Sequence, residues 1–145
     1  MQALPHLYHV QVSSTTDTNL ITSSQGLPNL IVSGPAEFGG PGDLWSPESL
    51  MMSAVVSCFV LSFKAVASAS NFPWENIHCE AIGTLDKVDR LMKFTQITTQ
   101  VRLVINDSSA QEKALKLLEK AESICLVSNS LNSQLKLECE IVIKA

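Results

Sequence analysis

The sequence predicts an α+β domain whose elements follow the order βββ-α-ββ-α-β. Three observations support this fold class. Segments rich in Val, Ile and Thr, residues that favour strands, lie on both sides of a long and almost wholly apolar helical segment. A second helical segment near the C-terminus carries its apolar residues on one side only. Because 145 residues suffice for one hydrophobic core, we expect a single domain spanning residues 1–145.

The N-terminal third is predicted to form three short strands. Residues 7–14 and 19–24 are typical of a hairpin, and residues 30–33 form a further strand. Prolines and glycines then crowd residues 34–44, which predicts a loop with turns that few other residues adopt. This loop is not phosphate-binding, because it lacks the glycine spacing and the lysine of such loops.

The first helix is predicted to begin with Ser46 as its N-cap and Pro47 at its first position. It ends near Asn71, because Pro73 disfavours helix just before it. The helix is apolar on nearly every side, so we expect it to be covered all round. It is long enough to cross a membrane, but Lys64 and the lack of flanking basic anchors favour a core helix, and we expect no membrane contact.

The C-terminal half is predicted to add three strands and a second helix. Strands at residues 77–86 and 94–105 are joined by a charged turn, and residues 106–108 cap the second helix. The last strand, residues 135–143, alternates cleanly between apolar and charged side chains. We expect the sheet to wrap around the first helix.

Composition argues against several classes of function. The net charge is -4 and no basic run is present, so we expect no nucleic-acid partner. The N-terminus lacks the basic start and apolar block of a secretory signal, so we expect a cytoplasmic protein. No Cys-x-x-Cys or His-x-x-x-His pair supports a zinc site, and no Gly-x-Ser-x-Gly turn supports a hydrolase.

The chain has four cysteines, at positions 58, 79, 125 and 139. In the cytoplasm expected above, cysteines do not by default form structural disulfides. A buried cysteine commonly packs as a small hydrophobe. We interpret Cys79 and Cys139 in this way, since both occupy apolar-facing strand positions. Cys58 lies deep in the apolar helix and needs a further argument.

Three blocks of the sequence resemble, in order and spacing, blocks of the OsmC/Ohr family of thiol-dependent hydroperoxide reductases: PAEFGGPGDLWSPESLMMSAVVSCF, GTLDKVDRLMKFTQI and LLEKAESICLVSNSL. The resemblance runs from about Pro35 to the C-terminus and looks closest to an OsmC-like branch. Its most specific part is the Cys-x-x-Ser-Asn-Ser-Leu motif that begins at Cys125.

The resemblance implies an OsmC-like fold, with a buried central helix wrapped by antiparallel sheet, in a tightly intertwined homodimer. It also implies an antioxidant peroxidase acting on organic hydroperoxides. Cys58 matches the peroxidatic cysteine and Cys125 the resolving one. No metal, haem or flavin cofactor is implied, and an external dithiol, such as a lipoylated protein or a small thiol, restores the reduced enzyme.

This chemistry sets a requirement for Cys58. A thiolate attacks the O–O bond, and a second thiol nearby prevents irreversible over-oxidation. Apolar surroundings raise the pKa of a lone cysteine, so Cys58 needs a positive or hydrogen-bonding partner.

In the hydroperoxide resistance branch, an arginine from the N-terminal strands pairs with a glutamate at the helix start and holds the thiolate. Glu48 matches that glutamate and is our third site residue, but no arginine precedes Arg90. Ten residues separate Glu48 from Cys58, about 15 Å along a straight helix. The other candidate partners are Arg90, Arg102, His6, Tyr8 and His9.

A second interpretation belongs to a different class of protein. The chain is then a dimeric binding module that holds a hydrophobic small molecule in its interface pocket without turnover. The missing arginine favours this interpretation, and the pair of cysteines argues against it.

Overall fold

In a computed structural model that describes residues 1–145, the chain forms six strands and three helices. The predicted order of elements is confirmed, except that a one-turn helix before the last strand was not predicted. Two short 3₁₀ turns, Ala36–Phe38 and Ser108–Ala110, precede α1 and α2. The strands are Gln11–Ser13 (β1), Leu20–Ser23 (β2), Leu30–Val32 (β3), Asn76–Val88 (β4), Leu91–Ile105 (β5) and Gln134–Ile143 (β6), and the helices are Pro47–Ala69 (α1), Gln111–Ile124 (α2) and Leu126–Asn129 (α3).

The chain divides into two compact units, Met1–Leu50 and Met51–Ala145. The sequence predicts that these units form a single domain, and this stays a prediction. The first unit contains the antiparallel sheet β1-β2-β3, which confirms the predicted hairpin and third strand. In the loop after β3, Gly40 has no room for a side chain, because a Cβ would lie 1.7 Å from the carbonyl oxygen of Gly34.

The start of α1 is fixed by two serines that cap each other. The Ser49 N–H donates to Ser46 Oγ at 3.1 Å, and the Ser46 N–H donates to Ser49 Oγ at 2.9 Å. Ser46 is thus the N-cap that the sequence predicts. At the other end the helix stops at Ala69, and Asn71 adopts a left-handed φ of 49°.

One face of α1 is buried, and the opposite face is not. Phe59 and Phe63 anchor the buried face, which also includes Val55, Val66 and Ala67. On the opposite face Leu61 is 65% exposed. The helix is apolar and long enough to cross a membrane by length and composition alone. Within one chain it is not covered all round, because the sheet of the second unit meets only one of its sides; cover from a second subunit stays a prediction.

The second unit contains the sheet β4-β5-β6. Strands β4 and β5 form an antiparallel hairpin, but β5 and β6 run parallel, which corrects the antiparallel sheet expected from the sequence. The physical reason is α2. It carries the chain back along the sheet between β5 and β6, so that β6 starts from the same end as β5.

The core of this unit lies on one face of that sheet, where α1 and α2 both pack. Phe59 and Phe63 from α1 meet Val101 and Leu103 from β5 and Leu118 from α2. The sheet positions between them point the other way and carry polar side chains, among them Arg102, which pairs with Glu140 at 4.0 Å. Cys58 and the junction between α2 and α3 lie on the same side of the sheet as this core.

Candidate active site

Cys58 lies midway along α1, at the border between its buried and exposed faces. Val55 and Phe59 are buried on one side of it, and Ser57 on the other side is exposed. The thiol itself is half-buried and free. One turn before it is the small, exposed Ala54 and one turn after it is Ser62, so the helix leaves the sulfur reachable.

Cys125 is completely buried and forms the junction between α2 and α3. Its backbone is extended, with φ −64° and ψ 105°, which ends α2. Its N–H still donates to the Glu122 carbonyl at 3.2 Å, and its own carbonyl accepts the Asn129 N–H at 2.9 Å, which begins α3. The Asn129 side chain donates to the Ser123 carbonyl at 3.1 Å and so links α3 to the last turn of α2.

The fold brings the two predicted cysteines together. The Cys125 Sγ lies 4.0 Å from the Val55 carbonyl oxygen of α1 and also within hydrogen-bonding reach of the Cys58 sulfur, so its single proton serves one of these acceptors at a time. The amides of Leu126 and Val127, which open α3, face the same sulfur of Cys58. Two thiols that are far apart in sequence therefore share one site, and neither is in a disulfide.

Hydrogen bonds determine the ionisation of Cys58. Burial of its sulfur raises the pKa, but four hydrogen bonds outweigh burial and hold the pKa of Cys58 below its ordinary value. All of these donors are neutral. In order of decreasing effect they are the Val127 N–H, the Cys125 thiol, the Leu126 N–H and the Ser62 hydroxyl.

Cys125 behaves in the opposite way. Burial raises the pKa of the Cys125 thiol, and the neighbouring Cys58 raises it further, although the hydroxyl and N–H of Ser128 lower it in part. The two thiols titrate as a pair. The two shifts run in opposite directions, so Cys58 ionises more readily than Cys125.

Cys79 and Cys139 lie on the core side of the sheet, on either side of Val101. Both are half-buried and pack against the core, as the sequence indicates. Burial raises the pKa of each to about 11. These two thiols are therefore protonated and unreactive near neutral pH.

The third predicted site residue, Glu48, lies in the first turn of α1 and belongs to the first unit. A carboxylate there interacts favourably with the helix dipole. Its Oε2 is buried and has no hydrogen-bond partner.

Neither arginine candidate lies at the sulfur of Cys58. Arg102 pairs with Glu140 on the polar side of the sheet, whereas its neighbours Val101 and Leu103 face the core. Arg90 is in the exposed turn between β4 and β5, with a left-handed φ of 70°. The remaining candidates lie in the first unit, and all are exposed: His6, Tyr8 and His9.

Of the four donors at Cys58, the sequence singled out only Cys125, as the partner cysteine, and missed the other three. Ser62 follows Cys58 by one helical turn, and this spacing is a signal that was available. The amides of Leu126 and Val127 are different, because any residue supplies them. Only the position of α3, a single turn too short to leave a periodic pattern, directs them at the thiol.

An apolar groove of about 400 Å³ runs beside α1. Val60 and Leu61 line it together with Cys79 from β4. No group of three or more His, Cys, Asp or Glu side chains is arranged to hold a metal ion.

A family model described as OsmC-like protein matches residues 40–140. The uncharacterised protein YmaD of Bacillus subtilis is 27% identical over 136 residues, which cover 92% of this chain and 85% of that protein. An OsmC-like protein of unknown function from Vibrio cholerae has a similar structure, with a TM-score of 0.86 at 18% identity over 94% of this chain and all of that one. The organic hydroperoxide resistance protein OhrB of Bacillus subtilis gives a TM-score of 0.71 at 24% identity over 93% of this chain and all of that one.

Proposed function

The chain belongs to the OsmC-like protein family, and from that premise we propose that it is a thiol-dependent peroxidase that reduces organic hydroperoxides. One observation carries the proposal. The buried Cys125 thiol contacts the Val55 carbonyl, three residues before Cys58 on α1, and hydrogen bonds lower the pKa of Cys58 while burial raises that of Cys125. A binding protein has no need for two neighbouring thiols with opposite pKa shifts.

The reaction proceeds in three steps. The Cys58 thiolate attacks the terminal oxygen of the hydroperoxide, the O–O bond breaks, and the alkoxide leaves and takes up a proton to become an alcohol. Cys58 is then a sulfenic acid. The Cys125 sulfur, deprotonated as it attacks, displaces hydroxide from Cys58 and forms a disulfide and water. An external dithiol, such as a lipoylated protein or a small thiol, reduces the disulfide and completes the cycle.

The surroundings of Cys58 favour organic over small polar peroxides. The groove beside α1 is mostly apolar, and Val60 and Leu61, which line it, lie within one helical turn of Cys58. An alkyl or aryl hydroperoxide places its apolar part against such a surface. Glu48, in the first unit, stays a proposed site residue, and its unpartnered Oε2 is an acceptor for a donor from substrate or from a partner subunit. The chemistry uses sulfur alone, with no metal or organic cofactor.

The proposed state is a cytoplasmic homodimer. The exposed, largely apolar side of α1, with Leu61 at its centre, is the face that a second copy covers. The groove gives a second candidate function its support, because an apolar cavity of that volume also suits a hydrophobic ligand that is held without turnover.

The test is intact-mass analysis of the reduced protein after one equivalent of cumene hydroperoxide, followed by peptide mapping. We expect rapid loss of two hydrogens, mapped to a Cys58–Cys125 link. Cys58→Ser abolishes peroxide consumption, Cys125→Ser allows one turnover followed by over-oxidation of Cys58, and Cys79→Ser, the control, changes neither. If the thiols stay reduced after long exposure to the hydroperoxide, the protein is not a peroxidase, and ligands of the groove become the next question.

A further inference from the structure

We propose that the external thiol that reopens the Cys58–Cys125 disulfide attacks the sulfur of Cys58, so that one sulfur meets both the hydroperoxide and the reductant. The inference rests on the proposed function for the disulfide, and it adds the site at which the reductant acts. It follows from the burial of the two sulfurs and from their positions in the fold.

The two sulfurs differ in their access to solvent. Cys125 is 0% exposed, whereas Cys58 is half-buried at the border of the exposed face of α1. A thiolate exchanges only with a disulfide sulfur that it reaches. Under the proposed function the hydroperoxide also reaches Cys58, so the same opening admits the thiol whether the protein is a monomer or a dimer.

The direction of approach also favours Cys58. In thiol–disulfide exchange the attacking, central and leaving sulfurs lie nearly in line. Cys125 contacts the carbonyl of Val55, on the buried side of Cys58, while Ser57 and Leu61 on the other side are exposed. A thiol in line with both sulfurs therefore reaches Cys58 from the exposed face of α1. The corresponding approach to Cys125 is blocked, because that residue has no exposed surface.

Attack at Cys125 requires the α2–α3 junction to open. The N–H of Cys125 donates to the Glu122 carbonyl, and its carbonyl accepts the Asn129 N–H. The Asn129 side chain also donates to the Ser123 carbonyl at 3.1 Å. These bonds oppose local opening, which exposes the junction in only a small fraction of molecules at any time.

Reduction at Cys58 takes two exchanges. The thiolate sulfur bonds to Cys58 Sγ, the Cys58–Cys125 bond breaks, and Cys125 leaves and takes up a proton. A second thiolate then attacks the external sulfur of this mixed disulfide and releases Cys58 as a thiolate. Two external thiols are thereby oxidised to a disulfide, and the two cysteines are reduced.

The ionisation of the two cysteines opposes the first exchange and helps the second. Burial raises the pKa of the Cys125 thiol, which makes Cys125 the poorer leaving group. We expect access to outweigh this effect, because a sulfur that is not reached does not react at any pKa. In the second exchange Cys58 leaves, and its lowered pKa speeds that release.

The test locates the mixed disulfide. The reduced full-length protein is oxidised with diamide, which needs no peroxide, and is then mixed with glutathione for short times. Acid stops the exchange, and peptide mapping by mass spectrometry finds the cysteine that carries glutathione. The same oxidised protein in concentrated guanidinium chloride is the matched control, because unfolding makes both sulfurs accessible.

In the native protein we expect at least about tenfold more glutathione on Cys58 than on Cys125, because the rate of exchange depends on access. In the unfolded control we expect the two cysteines to carry amounts within about threefold of each other. Glutathione mainly on Cys125 of the native protein overturns the inference. A native preference no larger than that of the unfolded control overturns it as well.

A second measurement uses the reverse exchange, and it decides the question if the mixed disulfide decays before it is trapped. Glutathione disulfide is added to the reduced Cys125→Ser and Cys58→Ser proteins, after circular dichroism has verified that both are folded. We expect glutathione on Cys58 of the first protein and none on Cys125 of the second over the same time. Equal modification of the two cysteines overturns the inference.

The choice of oxidant separates this inference from the proposed function. A Cys58–Cys125 link that diamide forms and cumene hydroperoxide does not form rejects the peroxidase, and the mapped glutathione still decides between the two sulfurs. A link formed by both oxidants, with glutathione on Cys125, rejects this inference only. If diamide forms no link, the two sulfurs do not meet, and the inference is rejected together with the resolving role of Cys125.

Discussion

At the scale of single residues, the four cysteines show how surroundings divide one side-chain type into different roles. Cys58 is the only one with a lowered pKa, and its donors come from two separate elements. The sequence singled out Cys58 and Cys125 by resemblance, and it indicated that Cys79 and Cys139 are core. It gave no access to the two amide donors at Cys58, because backbone amides carry no residue-type signal and their direction depends on packing between distant segments.

The hydroxyl of Ser128 supports the resolving thiol. Ser128 is buried and lowers the pKa of Cys125 against the effect of burial. We expect Ser128→Ala to raise the pKa of Cys125 further and to slow disulfide formation by up to about tenfold, the worth of one hydrogen bond. Stopped-flow measurement of disulfide formation after cumene hydroperoxide checks this.

The control for Ser128 is Ser123→Ala, whose hydroxyl donates to the Lys120 carbonyl at 2.7 Å and is exposed. In the Ser128 variant the longer-lived sulfenic acid is also oxidised further, so sulfinic Cys58 accumulates. Equal rates in the two variants contradict this role of Ser128.

The raised pKa values of Cys79 and Cys139 make stability depend on pH in the alkaline range. Between the ordinary value of 9.0 and about 11, the unfolded chain loses these thiol protons while the native chain keeps them. The stabilisation is thus complete below pH 9.0 and is lost as the pH rises through about 11. We expect the free energy of unfolding under reducing conditions to fall over this interval.

The matched variant is Cys79→Ala combined with Cys139→Ala. Urea titrations at several pH values should give it a shallower decline above pH 9 than the wild type, whereas the two proteins should run parallel between about pH 6 and pH 8, below the range in which a free thiol titrates. Parallel lines throughout the alkaline range contradict the prediction.

At the scale of elements, the features that depend on neighbouring residues were predicted from the sequence, but the direction of a strand in its sheet was not. The Ser46 N-cap of α1, the end of that helix before Pro73 and the alternation of β6 all follow from residues close in sequence, and all were predicted. The parallel pairing of β5 with β6 was not, because an alternating strand looks the same in either direction. Its direction depends on where α2 delivers the chain.

One contact between α1 and β4 depends on the absence of a side chain. A Cβ on Gly83 would lie 2.6 Å from Met52 Sδ and 2.9 Å from the Phe94 ring. We expect Gly83→Ala to lower the free energy of unfolding, because overpacking costs about 1 to 3 kcal/mol and the lower entropy of the unfolded chain offsets up to about 1 kcal/mol. Chemical denaturation measures the difference.

Gly34→Ala is the control for this prediction, since a Cβ there meets open space and the backbone has no left-handed φ. We expect its stability to equal or exceed that of the wild type. A Gly83→Ala protein as stable as the control shows that Met52 and Phe94 move aside without cost.

At the scale of the whole molecule, the chain exposes apolar surface that a monomer rarely carries. The uncovered side of α1 shows Leu61, and in the first unit Val12, Ile21 and Ile31 are exposed on the small sheet. The sequence predicted the apolar character of α1 correctly. It could not separate the side covered by the chain's own sheet from the side that stays exposed, since both are apolar.

We expect the wild type to be a dimer and Leu61→Glu to be a monomer at micromolar concentration, because a carboxylate buried in an apolar interface has no partner. Multi-angle light scattering measures the mass of each. Leu91→Glu changes a similarly exposed leucine at the start of β5 and serves as the control. A monomeric wild type, or a dimeric Leu61→Glu protein, contradicts the proposed interface.

The parallel pairing of β6 has a consequence for the chain as it leaves the ribosome. Strand β5 is central in its sheet, yet one of its edges stays open until β6 follows it out, past α2 and α3. In that interval the nascent chain presents an unpaired strand beside a half-covered apolar core, which is the combination that leads to aggregation. Slow translation between Gln111 and Ile143 therefore prolongs the stage of synthesis at which the chain is most prone to aggregate.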